Sequence, residues 1–236
     1  MTPGALWLIP TPLGEAKPEA VLSGAVIERT RTLRYFLAEE PKSARAFLKS
    51  AGHPGPIASL RIERLDHNTR PEELSGLLQP VREGSDAGLV SEAGCPAVAD
   101  PGAALIRLAH GEGIRVVPLA GPSSIILALM ASGLETQRFA FHGYLPVKEP
   151  DRTRSIQSLE RRSREAGETQ IFIETPYRNG PLLSALLSAC RADTWLCIAT
   201  DLTLPGESVL TRRIAQWRSA RADPGRRPSV FLLLRE

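Results

Sequence analysis

Aromatic residues are scarce in this chain: Phe, Trp and Tyr make up 5% of its 236 residues. That scarcity argues against a broad platform on which successive bases of a nucleic-acid strand could stack. Cysteine is scarcer still. Cys95, Cys190 and Cys197 are odd in number and far apart, so no disulfide framework is expected, and the lack of a CxxC pair gives a structural zinc no support. The four histidines show no metal-ligand spacing, so no metal is expected either. No apolar run approaches the roughly 18 residues needed to cross a bilayer. The N-terminal stretch MTPGALWLIPTPLGE has no basic residue ahead of its short apolar run, unlike a secretory signal. Neither G-x-G-x-x-G nor G-x-x-x-x-G-K-[ST] occurs, so the common dinucleotide and P-loop readings have no footing. These absences together give the expectation of a cytoplasmic protein with no membrane partner.

Charge of neither sign dominates. The formal net charge is +3, which permits an anionic partner without requiring one. Arginine is clustered in two places. One group is Arg152, Arg154, Arg161, Arg162 and Arg164; the other is Arg212, Arg213, Arg218, Arg221, Arg226 and Arg227. A planar guanidinium suits phosphate because it donates two parallel hydrogen bonds. A pair of solvated helix faces would look the same in sequence.

Short apolar runs at 5–9, 35–38, 58–65, 88–90 and 115–119 read as strands. Several are continuous rather than alternating, which suits a sheet covered on both faces. Helices are expected at 18–31, 41–51, 71–82 and 102–111, the first three opening on Pro18, Pro41 and Pro71, where proline is tolerated in a first turn. The repetition predicts a parallel α/β lobe over 1–119. A helix at 123–132 follows. Strands at 138–145, 170–174, 195–200 and 229–234, with helices at 152–164 and 180–191, predict a second α/β lobe over 120–236 with a mixed sheet.

In a parallel α/β sheet ligands bind beyond the carboxyl ends of the strands. The loops expected there are rich in Gly, Pro and small residues: Pro10–Glu15, Ala38–Pro41, Ser91–Gly102 and Ala120–Ser124. Glycine lets a backbone approach a ligand, and proline fixes a loop in advance of binding. The segment SEAGCPAVADPG is longer than an ordinary strand-to-helix turn.

Those segments carry a resemblance. Pro10–Gly14, Ser91–Pro96 with Asp100–Gly102, Ala120–Ser123, Phe141–Pro146 and Ile173–Arg178 occur in the order found in the tetrapyrrole (corrin/porphyrin) methylase superfamily. Within it the chain most resembles the branch that methylates a cytidine 2′-hydroxyl of small-subunit ribosomal RNA. The resemblance implies a two-lobed α/β homodimer without metal, binding S-adenosylmethionine in a cleft between its lobes, and an RNA substrate. It also implies that Pro10, Ser91, Glu92, Ala93, Val98, Ala99, Ser123, Ser124 and Tyr177 approach the cofactor, Tyr177 on the adenosine side. There are departures. The branch's alanine-glutamate-aspartate-threonine-arginine is Ala38-Glu39-Glu40-Pro41-Lys42 here, and its alanine-arginine-glutamate-leucine-threonine-lysine is Ala199-Thr200-Asp201-Leu202-Thr203-Leu204. The arginine and lysine of that second segment are gone. The chain also ends soon after its last apolar run, so no further C-terminal module is expected.

A ribose hydroxyl is a poor nucleophile and gains from a nearby base. Glu39, Glu40, His67 and Glu174 are candidates. Glu39 also fits a helix N-terminus before Pro41, and His67 also fits an ordinary surface loop. For substrate contacts the candidates are Asn68, which can equally close a turn, the cluster Arg152, Arg154 and Arg161, and Arg178, which can bind phosphate or pair with an acid. Phe141, Tyr144 and Phe172 read as strand core residues that could alternatively stack on a base. Cys95 lies in the key loop but has no histidine near it in sequence, so a nucleophilic role is not expected. Two alternatives stay open: methylation of a small, tetrapyrrole-like molecule, and a non-catalytic relative that binds cofactor or RNA.

Overall fold

The computed structural model describes residues 2–220 and 223–236; Arg221 of the second arginine group lies outside them. The chain divides into two units, Met1–Ser123 and Ser124–Glu236.

In the first unit, five short apolar runs form β1 (Ala5–Ile9), β2 (Tyr35–Ala38), β3 (Arg61–Arg64), β4 (Ala87–Val90) and β5 (Arg115–Pro118). Their order is β3-β2-β4-β1-β5, and every pair is parallel. Helices α1 (Gly24–Thr32), α2 (Pro41–Ser50), α3 (Pro71–Arg82) and α4 (Ala103–Gly111) lie between the strands in sequence. A parallel sheet must be covered on both faces, and β2 shows how. Tyr35 and Leu37 pack with Leu74 and Leu78 of α3 and Leu105 of α4, whereas Phe36 and Ala38 pack with Ala44 and Leu48 of α2. The continuous apolar pattern of β2 and β4 follows from this two-sided burial.

Gly88 of β4 sits where that packing is tightest: an added Cβ would lie 2.6 Å from Ile9 Cδ1 and 2.9 Å from Phe36 Cδ1. Gly88→Ala should therefore cost about 1–3 kcal/mol through overpacking, read as a lower urea midpoint with an unchanged slope.

Two expectations need correction. The helix read over 18–31 is a 3-10 turn at Pro18–Ala20, ended at Val21, followed by α1, which Ser23 caps with its hydroxyl accepting from Val26 N. The strand read over 58–65 is only β3, since its partner β2 offers four residues, from Tyr35↔Arg61 to Ala38↔Arg64, and Ile57–Ser59 turn into a 3-10 helix ahead of it.

The second unit is built on β6 (Phe139–Tyr144), β7 (Thr169–Glu174), β8 (Trp195–Thr200), β9 (Ser208–Arg213) and β10 (Ser229–Leu234), in the order β6-β7-β10-β8-β9. The β6–β7 pair is parallel and the other three are antiparallel, which is the mixed sheet expected. Helices α5 (Ser124–Ser132), α6 (Asp151–Ala166), α7 (Asn179–Ala189) and α8 (Ile214–Ala220) complete it. Phe172 and Phe231 stack with ring centroids 5.9 Å apart, inside a cluster that includes Ile156 of α6, Leu182 and Leu186 of α7 and Trp217 of α8. Phe172 is thus a core residue. Tyr144 is not: it is 57% exposed at the end of β6. The strand β9 and helix α8 were not foreseen, because SVLTRR at the sheet edge has neither a continuous apolar run nor a clean alternation.

Candidate active site

Because all five strands of the first unit run the same way, the loops leaving β1, β2, β4 and β5 emerge at one edge. The strands β4, β1 and β5 are neighbours, and their loops are fastened to one another. Thr11 and Gly94 exchange both backbone hydrogen bonds, at 3.0 and 3.1 Å. The Ser91 hydroxyl donates to Gly94 O and lies 3.1 Å from Thr11 Oγ1. Cys95 Sγ donates to Pro122 O, and burial raises its pKa, so it is a packing thiol rather than a nucleophile. Gly121 backs onto Pro10 so closely that a Cβ there would meet the ring at 2.3 Å.

The 91–102 loop has an unusual backbone. Ala97 and Ala99 sit at φ +63° and +61°, a region that costs a residue with a Cβ roughly 1–2 kcal/mol. Gly102 stands at φ +137°, close against Leu89 and Ala97. Strain of this kind persists where the surroundings hold it, and it gathers at ligand sites. Glu92, Ala93, Val98 and Ala99 are exposed, whereas Pro10 and Ser91 are buried. The Ser91 hydroxyl is committed within the protein, so it shapes the loop. Ser123 and Ser124 are half-buried at the start of α5.

Asp100 is the residue that the sequence reading passed over. Among the described residues its Oδ2 is buried without a hydrogen-bond partner; the carboxylate takes a backbone hydrogen bond from Glu92, yet its pKa is pushed up to about 6, first by burial and then by the charge of Glu39. A buried unpaired carboxylate oxygen is costly and marks a place that favours a cation. Beside it lies a cavity of about 360 Å³ lined by Glu39, Glu40, Arg64, Asp66, His67, Asn68 and Glu92. Glu39 and His67, distant in sequence, meet there with Oε1 and Nε2 3.8 Å apart. Glu40, not Glu39, caps α2: its side chain accepts from Lys42 N and pairs with Arg64 at 3.4 Å. That leaves Glu39 free of the capping duty. Asn68 N closes a turn onto Asp66 Oδ1 at 2.8 Å, leaving the Asn68 amide on the cavity wall.

The remaining candidates belong to the second unit. The Glu174 carboxylate is buried and takes hydrogen bonds from Arg178 Nη2 and Nε, at 2.6 and 2.9 Å, and from Thr175 N. It is occupied as the anchor of Arg178, so of the two readings of Arg178 the ion pair is the one found. Arg152 pairs with Glu149, and Arg154 with Asp151, so their charge is balanced locally; among the described residues Arg161 bonds the Ser158 hydroxyl and pairs with no carboxylate. In the second arginine group, Arg218 donates to Leu187 O near the end of α7 and to Cys190 O just past it, and Arg227 pairs with Asp201. Tyr177 is 76% exposed.

Among the described residues no group of three or more His, Cys, Asp or Glu is placed to hold a metal, and no helix is long and apolar enough to cross a membrane. The residues present fit S-adenosylmethionine: an unpaired carboxylate oxygen and the neighbouring Glu39 and Glu92 suit a sulfonium and an ammonium, and the small-residue backbone of 91–102 suits close approach.

Comparison with known proteins agrees. The model of the tetrapyrrole (corrin/porphyrin) methylases matches residues 17–217. The chain is 30% identical to the ribosomal RNA small subunit methyltransferase I of Escherichia coli O157:H7, over 99% of this chain and 78% of that one. It is 32% identical to the protein of the same name from Xylella fastidiosa, over 99% and 81%. Among solved structures, a cobalt precorrin-4 methyltransferase superposes with a TM-score of 0.60 at 17% identity, covering 98% of this chain and 94% of that one. The uroporphyrin-III-C-methyltransferase of Thermus thermophilus gives 0.56 at 19%, covering 98% and 92%; both likenesses speak for the fold. This chain therefore belongs to the tetrapyrrole (corrin/porphyrin) methylase family, as a methyltransferase whose methyl donor is S-adenosylmethionine.

Proposed function

We propose that this chain methylates small-subunit ribosomal RNA on a ribose 2′-hydroxyl, working in the cytoplasm as a homodimer. The observation that carries the RNA substrate is the identity of about 30% over 99% of the chain to proteins named for that activity.

S-adenosylmethionine supplies a methyl group already activated by its positive sulfur, so the protein's task is to position the hydroxyl, take its proton and exclude water. Asp100, ionised, holds the cation. Glu92, Ala93, Val98 and Ala99 offer the cofactor their exposed backbone and side chains, while Pro10 and Ser91 hold that backbone in shape; Ser123 and Ser124 flank it. Glu39 faces Nε2 of His67. The imidazole of His67 takes the hydroxyl proton, and the negative charge of Glu39, 3.8 Å from Nε2, stabilises the cation that results. Asn68 steadies the ribose from the cavity wall. Glu174 is assigned to holding Arg178, and Arg161 to the RNA backbone, with Arg152 and Arg154 contributing less because each is already paired.

Labelled methyl transfer to small-subunit ribosomal RNA transcript tests the proposal. Label should appear in RNA and survive in alkali-resistant dinucleotides, because a methylated 2′-hydroxyl cannot attack its phosphate. Label in a tetrapyrrole and none in RNA would overturn it.

A further inference from the structure

Tyr177 has a neighbour that its place in the sequence does not suggest. The Arg226 guanidinium lies over its ring, 5.6 Å from the centroid. Arg226 is exposed, and among the described residues no carboxylate pairs with it, in contrast to Arg227, which pairs with Asp201. The arrangement is built rather than incidental. Asn179, fully buried at the start of α7, donates through Nδ2 to Gly225 O, Arg227 O and Ser229 Oγ, at 3.0, 2.7 and 3.1 Å. Those bonds clamp the loop carrying Arg226 against the turn carrying Tyr177. Tyr144 is also exposed, at the end of β6 and in register with Ile173 of the neighbouring parallel strand β7, so two tyrosines are open at the carboxyl edge of one strand pair.

We propose that the Tyr177–Arg226 pair is a stacking platform for one unpaired nucleobase of the RNA substrate, with Arg226 also reaching an adjacent phosphate. This inference rests on the RNA reading above. Every base presents a π-face to an aromatic ring or a guanidinium plane, and a cation fixed beside a tyrosine adds charge where the phosphate backbone passes. One such pair does not need the broad aromatic surface that the composition argues against.

The test measures affinity for small-subunit ribosomal RNA transcript and, separately, for S-adenosylmethionine. Tyr177→Ala should weaken RNA binding roughly thirtyfold, the middle of the range for losing one stacked base, and raise the RNA KM more than it lowers kcat. Tyr177→Phe should restore binding. Arg226→Ala should weaken RNA binding and flatten its salt dependence by about one phosphate. Cofactor affinity should stay unchanged in all three. Unchanged RNA affinity in Tyr177→Ala overturns the platform while leaving the RNA reading intact. Weaker cofactor binding with unchanged RNA binding overturns it in favour of an adenosine contact. Failure of the parent protein to bind any such RNA overturns both.

Discussion

Asp100→Asn is expected to weaken S-adenosylmethionine binding roughly 10- to 100-fold, the value of one charge-assisted contact in a water-poor site, while making the free protein more stable at neutral pH. The two effects have one cause. Among the described residues Asp100 Oδ2 has no hydrogen-bond partner, and burial with the nearby charge of Glu39 raises its pKa from 3.8 to about 6. The folded state then holds this proton more tightly than the unfolded chain does. The ionisation penalty is absent below the unfolded pKa, grows as pH rises from about 4 to about 6, and is fully present above. Stability should fall across that window, and Asn should remove this part of the fall. The gain at pH 7 should be about 1 kcal/mol, because the 1.4 kcal/mol per pH unit must be discounted for a half-buried group. Cofactor binding should run the other way, weakening as pH drops below about 6, where Asp100 takes up its proton. Denaturation and calorimetry at several pH values, on parent and variant, read both.

His67→Ala should lower kcat for methyl transfer by roughly 100-fold or more, the usual worth of a positioned base, with cofactor affinity unchanged within about twofold. Glu39→Gln should cost less, roughly tenfold, since the imidazole remains and loses only the carboxylate 3.8 Å from its Nε2. Glu39→Gln has a second readout independent of turnover. Glu39 is the second cause of the raised Asp100 pKa, so its neutralisation should move the fall in stability to lower pH. Full activity in His67→Ala would remove His67 from the chemistry and return it to the surface-loop role that its exposure also fits.

Much of the first unit was legible because its strands are buried on both faces. At 5–9, 35–38 and 71–82 the expected ranges agree with β1, β2 and α3, since continuous apolar runs and a proline at a helix start leave few alternatives. At β3 and β9 the information lies elsewhere. The length of β3 is set by its partner β2, and β9 lies at the edge of its sheet, paired along its length with β8. The loop of 91–102 could be found from its glycine and proline spacing, but not the importance of Asp100, which depends on burial and on charges brought from 39 and 92. The meeting of Glu39 with His67 was likewise invisible, each being read separately. The pairing of Arg152 with Glu149 and of Arg154 with Asp151 was readable: both are three-residue spacings at a helix start. Tyr144 shows the opposite error. A strand aromatic was read as core, yet the sheet ends there and the ring is exposed.

The most direct test of the cradle formed by the loops after β1, β4 and β5 is calorimetric titration of the purified protein with S-adenosylmethionine, with S-adenosylhomocysteine alongside. Binding of both near micromolar, about −8 kcal/mol, is the predicted result. The absence of binding to either would contradict the account, leaving the loop geometry as an inherited fold without a cofactor site.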